Sequence, residues 1–322
     1  YYIKWFLSRF TEKQVYWLAA VTLITLIVIF SIVYPIANSG IVGGGCDRDE
    51  DLNITTTELL HGRYPYYSRT YLGHSTTHLP GSLLLSIPFV LLGNSAYQNF
   101  FWLLIFIIIT KLYFRDGRLA ILLLWTILFL SPTVLRDFIA GRDLLSNSIY
   151  ILFFILFMVN SISKPTTQKW KKVLSAVLLG IGFSSRINYI LLLPLVFSVL
   201  AQNSGWKSAV KYISLSCFMF LAVTLPFYLY DPKGFTPLYG QYYKLDRFQN
   251  IMPFAAILIP LIGGIIALLL SFQRLERDCL VLLRNCMLVQ AFLILCAVVL
   301  ETIQRGKLNF NATEYGFSFL FF

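Results

Sequence analysis

The chain has 322 residues, 57% hydrophobic, 16% aromatic and only 13% charged, with a mean hydropathy of +0.71. That balance excludes a water-soluble globular domain, and a net charge of +11 scattered between apolar runs, with no continuous patch, excludes a nucleic-acid-binding surface. The fold class is all-α, one polytopic membrane domain over residues 1–322, because runs of the roughly 20 apolar residues that a helix needs to cross hydrocarbon recur throughout.

Residues 15–36 are the first expected span, too long and too uniformly apolar for a signal-peptide core and so read as an anchor. The next apolar piece, Leu79 to Leu92, is short and carries Pro80 and Pro88, which suits a re-entrant or interfacial helix. Further spans are expected at 96–114, 119–134, 144–160, 173–185, 188–202, 208–230, 251–272 and 280–300, with an incomplete tenth from about 316. The chain opens at Tyr1 and stops inside the apolar run Phe317 to Phe322, so it is expected to be a fragment. With the N-terminus in the cytoplasm, the basic loops at Arg115 to Arg118, Lys164 to Lys172, Lys207 to Lys211 and Arg274 to Arg284 share one side. That side holds fifteen of the 26 Lys and Arg against only Glu12, Asp116, Glu276 and Asp278, as the positive-inside rule requires.

Residues 37–79 then form the first outer loop. Gly43-Gly44-Gly45-Cys46-Asp47-Arg48-Asp49-Glu50-Asp51 places four carboxylates within five residues directly after the first span. Acidic groups held this close raise one another's pKa, which favours either a bound divalent cation or one carboxyl basic enough to accept a proton. Leu59-Leu60-His61-Gly62 reads as the end of a short helix with glycine at the stop, and Arg69, His74 and His78 follow. The glycine run lacks the strand, lysine and helix of a phosphate loop, so no nucleotide cofactor is expected.

The run from Asp49 through Leu59 and Leu60 to Gly62, with Tyr64-Pro65-Tyr66 and His78-Leu79-Pro80, resembles the family 87 mannosyltransferases of the GT-C superfamily. Pro132, Arg136, Gly141, Asp143 and Asn147 resemble the second outer-loop acidic motif of oligosaccharyltransferase catalytic subunits, in the same superfamily. The chain departs from these patterns in having Asp47, Asp49, Glu50 and Asp51 where the family has one dominant aspartate, and in lacking Asn-Glu after Asp143.

The resemblance implies a membrane glycosyltransferase that moves mannose or a similar sugar from a polyprenyl-phosphate donor to a glycan, lipid or protein acceptor at the extracytoplasmic face. Asp49 is the expected base, with Asp47 its closest competitor. Asp143 is expected to support the base or the acceptor, or else to pair with Arg136 or Arg142. Arg186, at the outer tip of the short pair 173–185 and 188–202, is expected either to hold the donor phosphate or to snorkel to the interface, and its replacement by glutamine to leave folding largely intact. His74, His78, Arg305 and Lys307 are further candidates for phosphate contact. Two other classes fit the same composition: a transporter or flippase of lipid-linked sugars, which buries paired charges at mid-membrane depth, and a non-catalytic subunit of a membrane assembly.

Overall fold

The computed structural model describes residues 9–39, 47–273 and 279–307. The expected tenth span, Cys46 with the glycines before it, and residues 274–278 of the last basic loop lie outside the described residues.

The first helix, α1 (Glu12–Asn38), starts on a capping box in which Thr11 and Gln14 satisfy each other's backbone amides. In the loop that follows, α2 (Arg48–Leu60) stops just before Gly62, whose φ of +70° is the left-handed conformation that glycine adopts without strain. α3 (Pro80–Leu91) has only 12 residues, about 18 Å of helix, and is too short to cross. α4 (Gln98–Phe114) and α5 (Gly117–Leu130) form a hairpin. The expected span 119–134 breaks at Ser131, because Pro132 has no N–H to continue the ladder, and α6 (Pro132–Ile139) leaves at 91°. Then come α7 (Leu144–Ser163), α8 (Lys169–Phe183), a 3-10 turn (Ile187–Leu192), α9 (Leu193–Ser204), α10 (Trp206–Tyr230), α11 (Thr236–Asp246), α12 (Ala255–Ser271) and α13 (Cys279–Arg305).

Among the described residues, six segments are long and apolar enough to cross a membrane: 12–38, 95–114, 144–163, 187–204, 206–230 and 279–305. A seventh results if α5 and α6 are one bent span. Of the nine expected spans within the described residues, length therefore supports six or seven. α8 has 15 residues and begins with Lys169, Lys171 and Lys172, and α12 has 17.

The central helix is α7, most of whose 20 residues are buried. α8 crosses α10 at Gly180, where a Cβ would meet Ser216 O at 2.4 Å, and Ser216 Oγ donates across the crossing to Ala176 O at 2.9 Å. The outer faces of α1 and α12 expose Trp17, Ile24, Ile32, Ile257, Leu261 and Leu268, a surface suited to lipid. Polar contacts gather at the two ends of the bundle. At one end Lys111 bonds Tyr16, and Gln202 donates to Gln273 O. At the other Tyr64 OH donates to Phe227 O (2.9 Å) and Thr236 Oγ1 to Thr76 O (2.8 Å). The loop 47–97 and the turns at 131–143, 184–186 and 231–235 share that second end, as the expected alternation of loops requires.

Short as it is, α3 is firmly placed. Helix ends leave orphan amides and carbonyls, and here those of two helices satisfy each other: Gly81 N–H donates to Ser184 O (2.8 Å) and Leu79 N–H to Ser185 O (3.4 Å), just beyond the end of α8. Ser82 Oγ adds a bond to Ser185 O at 2.8 Å. A Cβ on Gly81 would lie 2.2 Å from Ile181 O and 2.6 Å from Ser184 C, both backbone. Gly81→Ala is therefore expected to lower stability by about 1–3 kcal/mol, the range for overpacking, seen as a lower unfolding midpoint in detergent. An unchanged midpoint would mean that α3 is not seated on the α8 backbone.

Candidate functional site

Because α2 winds through the acidic run, its carboxylates face different partners. Asp47, just before the helix, accepts from Thr70 Oγ1 (2.6 Å) and His74 Nδ1 (2.8 Å). Burial raises its pKa, but the bonds from Thr70 and His74 outweigh that and hold it below the ordinary value. Asp49 is buried. Its Oδ2 accepts from Tyr34 OH and from Asn38 Nδ2 (2.9 Å), tying α2 to the C-terminal end of α1, while its Oδ1 has no hydrogen-bond partner. Burial raises the Asp49 pKa against the bonds from Tyr34 and Asn38. Glu50 accepts from the Tyr71 N–H. Asp51, partly exposed, reaches His78 Nδ1 at 2.9 Å. Among the described residues no group of three His, Cys, Asp or Glu side chains is placed to hold a metal ion.

The α3–α8 junction brings His78 and Arg186 together with Asp143, which lies just before α7. His78 Nε2 lies 3.0 Å from Asp143 Oδ2, an ion-pair contact out of line for a hydrogen bond. Arg186 Nη2 contacts both Asp143 oxygens, at 2.7 and 2.5 Å. Asn147 Nδ2 donates to Asp143 Oδ2 (2.7 Å) and Tyr150 OH to Asn147 Oδ1 (2.5 Å). The result is a buried chain of alternating charge, Asp51, His78, Asp143, Arg186. Burial raises the Asp143 pKa, but Arg186 and His78 outweigh it and hold the carboxyl well below its ordinary value. Asp137 lies close by, with Oδ2 accepting from the Leu145 N–H (3.0 Å), within electrostatic reach of Arg48 and Arg142.

His78 is opposed by its own burial, yet Asp143 and Asp51, working against Arg186, raise it above its ordinary 6.5. A cation with a raised folded-state pKa contributes stability that is full below its unfolded value and lost as pH rises through the folded one. The unfolding midpoint is therefore expected to fall as pH rises above about 6.5, and His78→Gln to flatten that slope. An unaltered slope in the variant would remove His78 as its source.

Arg186 also lines a cavity of about 970 Å³. One wall is apolar, with Ile190, Leu191, Ile259 and Leu293, while Arg136, Lys244, Arg247 and Arg305 bring further cations and Glu301 a single acid. α13 gives the cavity one helical face from Gln290 to Arg305, about 22 Å long. The amide of Gln290 pairs with Asn188, next to Arg186, and Arg305 pairs with Glu301 at 3.0 Å. α11 and its continuation through Phe248 cover the cavity from the loop side.

Of the expected site residues, Asp143, Arg186 and His78 converge, and Arg186 shares the cavity with Arg305. Asp47 and His74 pair with each other away from it, Asp49 is not on its wall, and Lys307 is exposed and also off the wall. Arg186 does not snorkel: it is buried and ion-paired. The expected site residues did not include Asp137, which follows Arg136 inside the second acidic motif but is not one of the residues that carry the resemblance, nor Glu301 and Arg247, which have no motif around them; only the 3.6-residue phase of α13 puts Glu301 on the same face as Gln290 and Arg305. No family model, curated protein or solved structure matches the chain.

Proposed function

We propose that the chain is a membrane glycosyltransferase that moves a sugar, mannose or similar, from a polyprenyl-phosphate donor to an acceptor at the extracytoplasmic face. The observation that carries this reading is Arg186, a buried cation lining a cavity that has an apolar wall, four further cations and a single acid. A phosphate and a prenyl chain need these two surfaces in one space. The end of the bundle that holds α2, α3 and α11 is then extracytoplasmic, and α8 and α12 complete nine crossings within the described residues despite their length.

Asp51 takes the proton of the acceptor hydroxyl, the oxygen attacks the anomeric carbon, and the bond from that carbon to the phosphate oxygen breaks. The polyprenyl phosphate leaves with its added negative charge beside Arg186. Asp51 is preferred to Asp49 and Asp47 because it alone of the three joins the chain to Arg186 and is partly exposed. Asp143 orients Arg186 and His78, and the membrane itself supplies the donor to the cavity.

The test is the purified protein in lipid nanodiscs offered mannosyl phosphoprenol. Saturable binding of this donor, and release of phosphoprenol on adding a glycan or lipid acceptor, are expected. Failure to bind either phosphoprenol or its mannosyl form would overturn the reading, and movement of intact donor across sealed vesicles without cleavage would favour a flippase. A cysteine at Gly73 is expected to be labelled only from the extracytoplasmic side, periplasmic or lumenal, and one at Gly117 only from the cytoplasm.

A further inference from the structure

Glu301 is 3% exposed, yet it lines the cavity. Its Oε1 meets Arg305 at 3.0 Å, while Oε2 lies 3.8 Å from Arg247 and takes no hydrogen bond. A buried carboxylate oxygen without a donor costs free energy unless something fills the place. Two features of the surroundings restrict what that can be. Arg247 and Arg305 already balance the charge of Glu301, and Arg136, Arg186 and Lys244 share the cavity wall, so an added cation would be repelled. A second anion would face the carboxylate itself. A neutral donor remains, and an alcohol hydroxyl is the group that gives a short, directional bond to a carboxylate without bringing charge.

Glu301 lies about 16 Å along α13 from Gln290, whose partner Asn188 is two residues from Arg186. The cavity is thus polar at two separate places with the apolar residues Leu293, Ile294 and Ala297 between them on the α13 face. We infer that Glu301 is a specificity-determining residue that accepts a hydrogen bond from a hydroxyl of the sugar on the phosphoprenol, so that the cavity distinguishes a glycosylated lipid phosphate from a bare one. The inference rests on the donor class proposed above. Arg247 and Arg305 act on it as positioning residues: Gln304 Nε2 holds Arg247 O at 3.1 Å, and the two guanidinium groups keep the carboxylate in place.

The experiment is a pair of titrations in nanodiscs, with phosphoprenol and with mannosyl phosphoprenol as probes, on the wild type and on Glu301→Gln. Glutamine keeps the size and removes the charged acceptor. Mannosyl phosphoprenol is expected to bind about tenfold more weakly to the variant, the scale of one charge-assisted hydrogen bond, while phosphoprenol binds as before or more tightly. Unchanged phosphoprenol binding also shows that the variant is folded. Parallel loss for both probes, or no loss for either, overturns the role of Glu301 while leaving the donor reading in place. Absence of binding by the wild type to either probe defeats the donor reading itself, and the inference with it.

Discussion

Arg186→Ala should cost the fold about 3–5 kcal/mol, the usual penalty for removing one partner of a buried ion pair. Asp143 is buried, and without Arg186 its main counter-charge is His78, which Asp51 also claims. The expectation that a neutral residue at this position leaves folding intact is thereby replaced: Arg186→Gln, too, should lower the unfolding midpoint, because it strands a buried carboxylate. Phosphoprenol affinity should fall by roughly 10- to 150-fold, equivalent to about 1.5–3 kcal/mol. The double variant Asp143→Asn with Arg186→Gln separates the two effects. Removing both charges should restore most of the stability, as buried pairs replaced together often do, while phosphoprenol binding stays weak. Recovery of binding along with stability would show that Arg186 serves the fold and not the ligand.

Asp51→Asn should lower turnover by about 10²- to 10⁴-fold with donor binding nearly intact, the effect of removing a proton acceptor used only in the transition state. Asp49→Asn should act differently. It loosens the contact of α2 with Tyr34 and Asn38, so its main effect is a lower unfolding midpoint with turnover per folded molecule largely kept. Steady-state rates and melting curves on both variants decide the matter. A catalytically dead but stable Asp49→Asn protein would return the base to Asp49, and full activity in both would end the catalytic reading of the loop.

The class of the protein and the alternation of its loops between the two ends of the bundle were legible in the sequence because apolar runs long enough for hydrocarbon mark most of the spans and polar turns separate them. The break at Ser131 was written in Pro132, although apolar residues on both sides concealed it. Within the site, Asp143 and Arg186 were found separately, the first through its motif and the second as a charge between two apolar runs. Their contact was not, because 43 residues and two helices separate them. The acidic run misled for a related reason. Spacing shows that Asp47, Asp49 and Asp51 are neighbours in the chain, but helical phase sends them to His74, Tyr34 and His78, and phase at a helix start depends on where the first turn begins.

The pairing of Asp143 with Arg186 also imposes an order on biosynthesis. At about 5–20 residues per second the carboxylate is made roughly 2–9 s before its counter-ion, since 43 residues lie between them. Through that interval Asp143 stands at the N-terminal end of α7 without Arg186, and its charge must be met by water, His78 or the insertion machinery. A chain interrupted inside α8 would carry an acid with no arginine to meet it, a defect that a protease or chaperone of the membrane can sense. The α7–α8 hairpin is thus complete just before the residue that neutralises Asp143 is added.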